Sequence, residues 1–269
     1  MPSIDLARLK KQAAQLADLF NRPAEFVRAL HGMLDFYVNR SLREVDSVAP
    51  ASVLQTYRTP PVILRHIETE LAPLAAENPE LALDLADRLW DEGWLETRLL
   101  AASLLGRLPP REERLLARLT AWTMQVRDPS VRAALLSTSL VRLRKETPEH
   151  FLLLVGEWLN PERPRMWANG IQALLPLIQD PDFHNLPPVF EILTHVVEAA
   201  PGTLQSDFVD LFQSLYRASP TETIYFLRQV IANSPTPMTA TAFRRISPSL
   251  PPGLAEALRD LVKSGQPNR

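Results

Sequence analysis

The chain has 269 residues, 46% hydrophobic and 22% charged, with a formal net charge of −2. It is long enough to bury a sizeable core and is not a strongly basic or acidic chain. Zero cysteines exclude disulfides, thiolate catalysis, cysteine-held zinc and cysteine-ligated iron–sulfur clusters. The opening stretch MPSIDLARLKKQAAQL lacks the apolar core and cleavage site of a secretory leader. No stretch nears the roughly 18 uninterrupted apolar residues of a membrane helix. The expectation is a cytoplasmic chain with no membrane contact.

Glycine and proline set the class. The 8 glycines are widely dispersed, which removes the Rossmann, Walker and nucleophile-elbow motifs together. The 25 prolines stand at helix starts, often behind Asn, Asp, Ser or Thr, as in Asn78-Pro79, Asp128-Pro129 and Ser219-Pro220. The segments between them carry helical periodicity and no strand alternation, so the fold class is all-α.

In chain order, residues 3–20 and 23–44 read as an N-terminal pair within 1–45, broken at Asn21-Arg22-Pro23. Residues 45–58 read as a polar connector, and a helix follows Thr59-Pro60-Pro61 to about Leu74. Hairpins are then predicted at 80–91 with 95–107, 111–126 with 130–145, and 148–159 with 162–178. Two more follow at 188–199 with 204–217 and 220–232 with 238–247; a helix over 252–263 and a frayed tail over 264–269 close the chain. The clearest hairpin runs from Pro110 to Lys145: Leu115, Leu119, Trp122 and Val126 form one stripe, and Asp128-Pro129 is a ready N-cap and first helical residue. Equivalent points on second helices recur at Glu96, Val131, Met166, Phe208 and Ala242, in steps of 35, 35, 42 and 34. That period belongs to stacked helix pairs, each needing its neighbours to bury both faces.

Charge is uneven along this array. Residues 95–165 carry 12 basic and 8 acidic side chains, whereas 1–94 carry 10 and 14, and 166–260 carry 5 and 9. Most of the central excess is arginine, which suits phosphate. Arg98, Arg132, Arg142 and Arg165, with Trp167, are the candidate nucleic-acid-binding residues. The plain alternative is a solvated helix face.

The Asp128-Pro129-Ser130-Val131-Arg132 turn resembles the turn inside HEAT repeats. The tetratricopeptide alternative has the right length but lacks its Trp-Leu-Gly-Tyr signature. Two stretches, Tyr57-Arg58-Thr59-Pro60-Pro61-Val62-Ile63-Leu64-Arg65-His66-Ile67 and Leu89-Trp90 through Glu96-Thr97-Arg98 to Leu104-Leu105, together resemble the bacterial DNA alkylation repair family of the AlkD type. The likeness is clearest over 57–178. It implies an all-α, HEAT-like superhelix, here a single solenoid of about six helix pairs over 1–269, with the repeats at 59–263 and the second helices lining the inner surface. In members that excise alkylated bases, it further implies a carboxylate stabilising a cationic sugar and aromatic rings holding the DNA. Asp128 and Trp122 are the candidates for those roles. Their six-residue spacing, across a proline-broken turn, departs from the family's spacing of about one turn. Asp128 also reads as an N-cap and Trp122 as core.

The five histidines are dispersed, with no H-E-x-x-H, so no metal or cofactor is expected. The reading is a non-enzymatic scaffold related to the DNA alkylation repair family, tracking double-stranded DNA through its basic central repeats. The alternatives are an active alkylpurine DNA glycosylase and a scaffold that binds only protein.

Overall fold

A computed structural model describes residues 5–38, 53–110, 113–199, 201–233 and 237–264. The expected connector therefore lies largely outside the described residues, as do Arg111, Glu112 and the tail beyond Ser264. The described chain forms fifteen α-helices and no strand: α1 Leu6–Ala17, α2 Pro23–Phe36, α3 Pro61–Glu77, α4 Pro79–Asp91, α5 Leu95–Leu105, α6 Glu113–Gln125, α7 Pro129–Ser137 and α8 Val141–Glu146. Then come α9 Pro148–Trp158, α10 Trp167–Ile178, α11 Pro187–Ala199, α12 Gln205–Ala218, α13 Pro220–Asn233, α14 Pro237–Ile246 and α15 Pro252–Ser264. Nine of the fifteen open on proline, whose fixed φ suits the first turn and whose missing N–H is not needed there. The fold is the all-α, HEAT-like helical repeat expected from the sequence. Among the described residues, no helix is long and apolar enough to cross a membrane.

The helices divide into two compact units, Met1–Pro148 and Glu149–Arg269. In the first, α1, α3, α5 and α7 pack side by side in succession, with α2 against α4 in a second layer. In the second, α10, α12 and α14 follow one another, beside α11, α13 and α15. Leu9, Leu30, Ile63, Leu100 and Leu135 fill the first core; Phe151, Ile171, Phe208, Phe212 and Leu227 fill the second. Each such side chain contributes about 1.5–3 kcal/mol by leaving water.

The repeat is visible in lateral hydrogen bonds. Arg142 Nη1 donates to the Arg107 carbonyl, Gln172 Nε2 to Asp207, and Gln179 Nε2 to Ser214, each pair 35 residues apart. Gln213 to the Ser249 carbonyl is 36 apart. Between α10 and α12 the register is therefore 35, not the step of 42 that the apolar pattern from Met166 to Phe208 gives.

Several boundaries differ from expectation. Helix α2 ends at Phe36, where the Tyr37 N–H turns back to the Met33 and Leu34 carbonyls; residues 39–44 of the expected helix lie outside the described residues. Helix α3 continues past Leu74 to Glu77 in spite of Pro73, because Leu71 and Ala75 on either side are fully buried. The helix expected over 130–145 is broken between α7 and α8. There Ser139 donates both its N–H and its hydroxyl to the Ala134 carbonyl, five residues back. A hydroxyl competing for backbone partners loosens a helix in this way. Gly106 abuts the break: a Cβ on it would sit 2.1 Å from the Thr138 carbonyl oxygen. The segment expected as helix 162–178 begins with a 3-10 turn over Pro164–Met166 before α10.

Candidate nucleic-acid interface

The residues that carry the family resemblance come together in the first unit, around the turn from α4 to α5. Gly93 supplies φ +72° there, a conformation glycine adopts without steric cost. Trp94 then pairs in parallel with Gln55, whose carbonyl accepts from Leu95 N at 2.9 Å. Glu96, only 3% exposed, takes the Thr56 hydroxyl at 2.8 Å and the Arg58 N–H at 2.9 Å on one carboxylate oxygen. Arg58 holds φ 56°, unusual for a residue with a side chain. Its N–H also meets the Thr56 hydroxyl at 3.0 Å. The second oxygen of Glu96 is buried without a hydrogen-bond partner. The motif glutamate thus fastens segment 53–60 to the start of α5.

A second tie joins α2 to the same place. His31 Nδ1 lies 2.7 Å from the Tyr57 hydroxyl and Nε2 lies 3.1 Å from Glu92, whose other oxygen takes Arg88 at 2.7 Å. Tyr57 stacks on Trp94 at 4.4 Å. Burial, then the negative charges of Asp35, Glu96 and Glu92, hold the Tyr57 hydroxyl above the ordinary tyrosine range.

Next to this lies a cleft of about 530 Å³ between α4 and α6. Trp90 and Trp122 stack nearly parallel, 4.2 Å apart and 3° between planes. Arg98 lays its guanidinium 4.7 Å from the Trp90 ring centre, and its Nε donates to the Trp90 carbonyl at 3.3 Å. That geometry is a cation–π contact. Arg118 makes a two-pronged pair with Asp87, at 3.0 and 2.8 Å, which holds its guanidinium further above its already high range. Ala117 and Ala121 on α6 leave the space open, and Asp91 and Gln125 complete the walls.

The other predicted residues are placed as follows. Asp128 caps α7: one oxygen accepts from Ser130 N and Val131 N, at 2.9 and 3.0 Å, and the other from Val53 N at 2.9 Å. It is 1% exposed. Trp122 is 6% exposed and stacks on Trp90. Arg132 is half-buried on α7, and Arg142 is tied to Glu146 and the Arg107 carbonyl. In the second unit Arg165 is exposed in the 3-10 turn before α10. Trp167 is buried, with its indole N–H donated to the Asn160 carbonyl at 3.0 Å. The first unit therefore brings Arg98 and Trp122 to one cleft, while Arg165 and Trp167 belong to the other unit.

Sequence reasoning missed Trp90 as the partner of Trp122, and Arg118 as a wall of their cleft. Trp90 and Trp122 are 32 residues apart at matching ends of successive first helices, and that spacing was the available signal. Among the described residues no group of three His, Asp or Glu could hold a metal ion.

Comparison with known proteins agrees with the motif geometry. No curated protein and no solved structure matches the chain. The family model described as DNA alkylation repair enzyme matches residues 62–246, a span that opens within α3, includes the Leu89–Leu105 motif and extends to the end of α14. With two thirds of its length under that match, and the motif's tryptophan, glutamate and arginine assembled at one helix turn, the chain belongs to the DNA alkylation repair family.

Proposed function

We propose that the chain is a non-enzymatic DNA-binding member of this family, contacting the duplex backbone through arginines of its basic central repeats. The carrying observation is Asp128. Its two oxygens accept three backbone N–H groups and it is almost fully buried. A carboxylate so engaged serves the helix start and is not directed at a developing positive charge on a sugar. Backbone binding needs cations that reach phosphate, and Arg165 is exposed while Arg132 is half-buried. Membership of the family supports DNA as the partner class.

The test is anisotropy with a labelled duplex at several salt concentrations, comparing the wild type with Arg132→Ala/Arg165→Ala. Binding should fall steeply with salt. The double variant should bind more weakly, and its log–log slope should be shallower by about 0.9 per lost phosphate contact. No binding at low salt overturns the reading and leaves a protein-binding scaffold. A base-release assay on alkylated duplex, run with wild type and Asp128→Asn, should show no release from either. Asparagine keeps the cap, so release that is lost only in the variant would establish the glycosylase instead.

A further inference from the structure

A groove of about 570 Å³ in the first unit lies where α1 and α3 end and α4 begins. Ala14, Ala17 and Phe20 from the α1 side and Leu74 and Leu81 from the α3–α4 side give it apolar walls. Leu81 is 38% exposed, a large apolar side chain left open to water. The polar lining is two carboxylates and two amides, with no cation: Asp18 caps the C-terminus of α1, Glu70 faces the groove from α3, and Asn21 and Asn78 complete it. Asn78 caps α3 and gives its amide N–H to the Leu74 carbonyl, which leaves its carbonyl oxygen as an acceptor. Pro73, on the wall, has no N–H to offer.

The helix ends make this arrangement more costly. A helix C-terminus carries about half a negative charge and favours Lys, Arg or His in its last turn. Neither α1 nor α3 has a basic residue there. Each carries an acid instead, Asp18 at the cap of α1 and Glu77 as the last residue of α3. Lys10 and Lys11 are about two turns back along α1 from Asp18, and Arg22 is held by Glu25 at 2.8 Å. Glu80 adds a further carboxylate in the first turn of α4. Two negative helix ends and several carboxylates thus border one apolar groove whose own lining holds no cation; the one positive helix end there, the start of α4 at Asn78, carries Glu80 in its first turn.

We infer that this groove is a docking site for a basic amphipathic helix of a partner protein, its apolar face on Leu74 and Leu81 and its lysines or arginines on Asp18, Glu70 and the two helix ends. Apolar anchors at helical spacing fit such a groove, and the charge complementarity sets both on-rate and specificity. The inference stands apart from the DNA reading, since the groove's lining has two carboxylates and no cation for a phosphate.

The probe is a fluorescein-labelled peptide of leucine and lysine, roughly 18 residues, long enough to be helical in isolation, with a leucine–glutamate peptide as its counterpart. Anisotropy should show the lysine peptide binding and the glutamate peptide not binding. Asp18→Lys/Glu70→Lys should weaken the lysine peptide by at least about tenfold, as the sum of two lost ion pairs and a new repulsion. Leu81→Asn should weaken it without changing charge. A control with the same charge change in the second unit, Asp180→Lys/Asp182→Lys, should leave binding nearly unchanged. Asp18→Lys should also raise the melting temperature of the free protein, because lysine suits a helix end, so loss of binding would not reflect loss of fold. Equal weakening by groove and control variants, or no binding of the lysine peptide, overturns the inference.

Discussion

Both fully buried carboxylates among the described residues, Glu96 and Asp128, belong to the first unit; the buried polar groups of the second are Asn169, Ser214, Thr223 and Ser247. The lateral ties differ in the same sense. In the first unit Arg118 and Arg114 of α6 pair with Asp87 and Asp84 of α4. In the second, the amides of Gln172, Gln179 and Gln213 reach a carboxylate, a hydroxyl and a carbonyl of the next repeat. A buried charge is costly and is retained where it fixes one arrangement against others. Glu96 and Asp128 both bind segment 53–60, which has no helix of its own to satisfy its backbone. The second unit's described helices repeat regularly enough to be joined by neutral groups. Irregular chain draws on both buried acids, and Asp128 joins it to the start of a repeat helix.

The strongest way to break this contrast is to remove Glu96. Glu96→Ala removes the carboxylate oxygen that takes both the Thr56 hydroxyl and the Arg58 N–H and withdraws support from the left-handed Arg58. A loss of about 2 kcal/mol is expected, from two part-buried hydrogen bonds to a charged acceptor. Glu96→Gln should lose less, about 1–2 kcal/mol, because its carbonyl oxygen keeps both donors while its NH2 takes the buried place of the oxygen that has no partner. Asn169→Ala, the comparison in the second unit, should cost only about 1 kcal/mol. Urea unfolding gives the magnitudes. Hydrogen exchange should locate the Glu96→Ala effect in 53–60 and α5 and leave α11 to α13 as they were. A Glu96→Ala protein as stable as wild type would mean that the buried acid does not hold the segment.

A smaller effect separates two glycines. A Cβ on Gly106 would meet the Thr138 carbonyl oxygen at 2.1 Å, which is backbone and can yield only if the α7–α8 break shifts. A Cβ on Gly170 would meet Leu159 Cδ2 at 2.6 Å and Cγ at 2.7 Å, atoms of one side chain, which can shift more readily than backbone. Gly106→Ala should therefore cost about 2–3 kcal/mol and Gly170→Ala about 1 kcal/mol, the usual range of overpacking. Thermal unfolding of the two variants measures the difference. Equal losses would show that the break yields as readily as a leucine rotamer.

The same residues show what was legible beforehand. Pro79, Pro129, Pro148 and Pro220 mark helix starts because a proline at the first helical position is a local matter, readable from one residue and its cap. The break at Thr138 to Leu140 was not readable, because Leu135, Leu136, Leu140 and Leu143 are all buried and the apolar pattern runs through it unbroken. Its causes are a serine bonding back to Ala134 and a glycine 32 residues earlier in the chain. Asp128 as a cap was legible from Asp-Pro. That its second oxygen reaches back to Val53 was not, since no spacing rule links residues 75 apart. Family resemblance found the tryptophan, glutamate and arginine of the α4–α5 turn, but only the fold shows that the glutamate holds a loop and that the tryptophan stacks on Trp122.

The smallest expected effect concerns Glu68, a half-buried carboxyl that joins α3 to α5. Burial raises its pKa above the ordinary carboxylate value, and Arg107, the Ser103 hydroxyl and Arg65 offset this in part. An acid with a raised folded-state pKa holds its proton more tightly when folded. Its contribution to stability is therefore unaffected well below the ordinary carboxylate value, and it turns unfavourable as pH rises from there through the raised value. Glu68→Gln removes that penalty. The variant should match wild type in acid and gain a small advantage at neutral pH, small because the group is partly solvated and its neighbours are cationic. Melting temperatures at about pH 4 and pH 7 test this. The contrast between units predicts the sign, since in the first unit a buried acid that binds no irregular segment should be dispensable. A variant less stable at neutral pH would instead place Glu68 with Glu96 and Asp128, as an acid whose charge the unit requires.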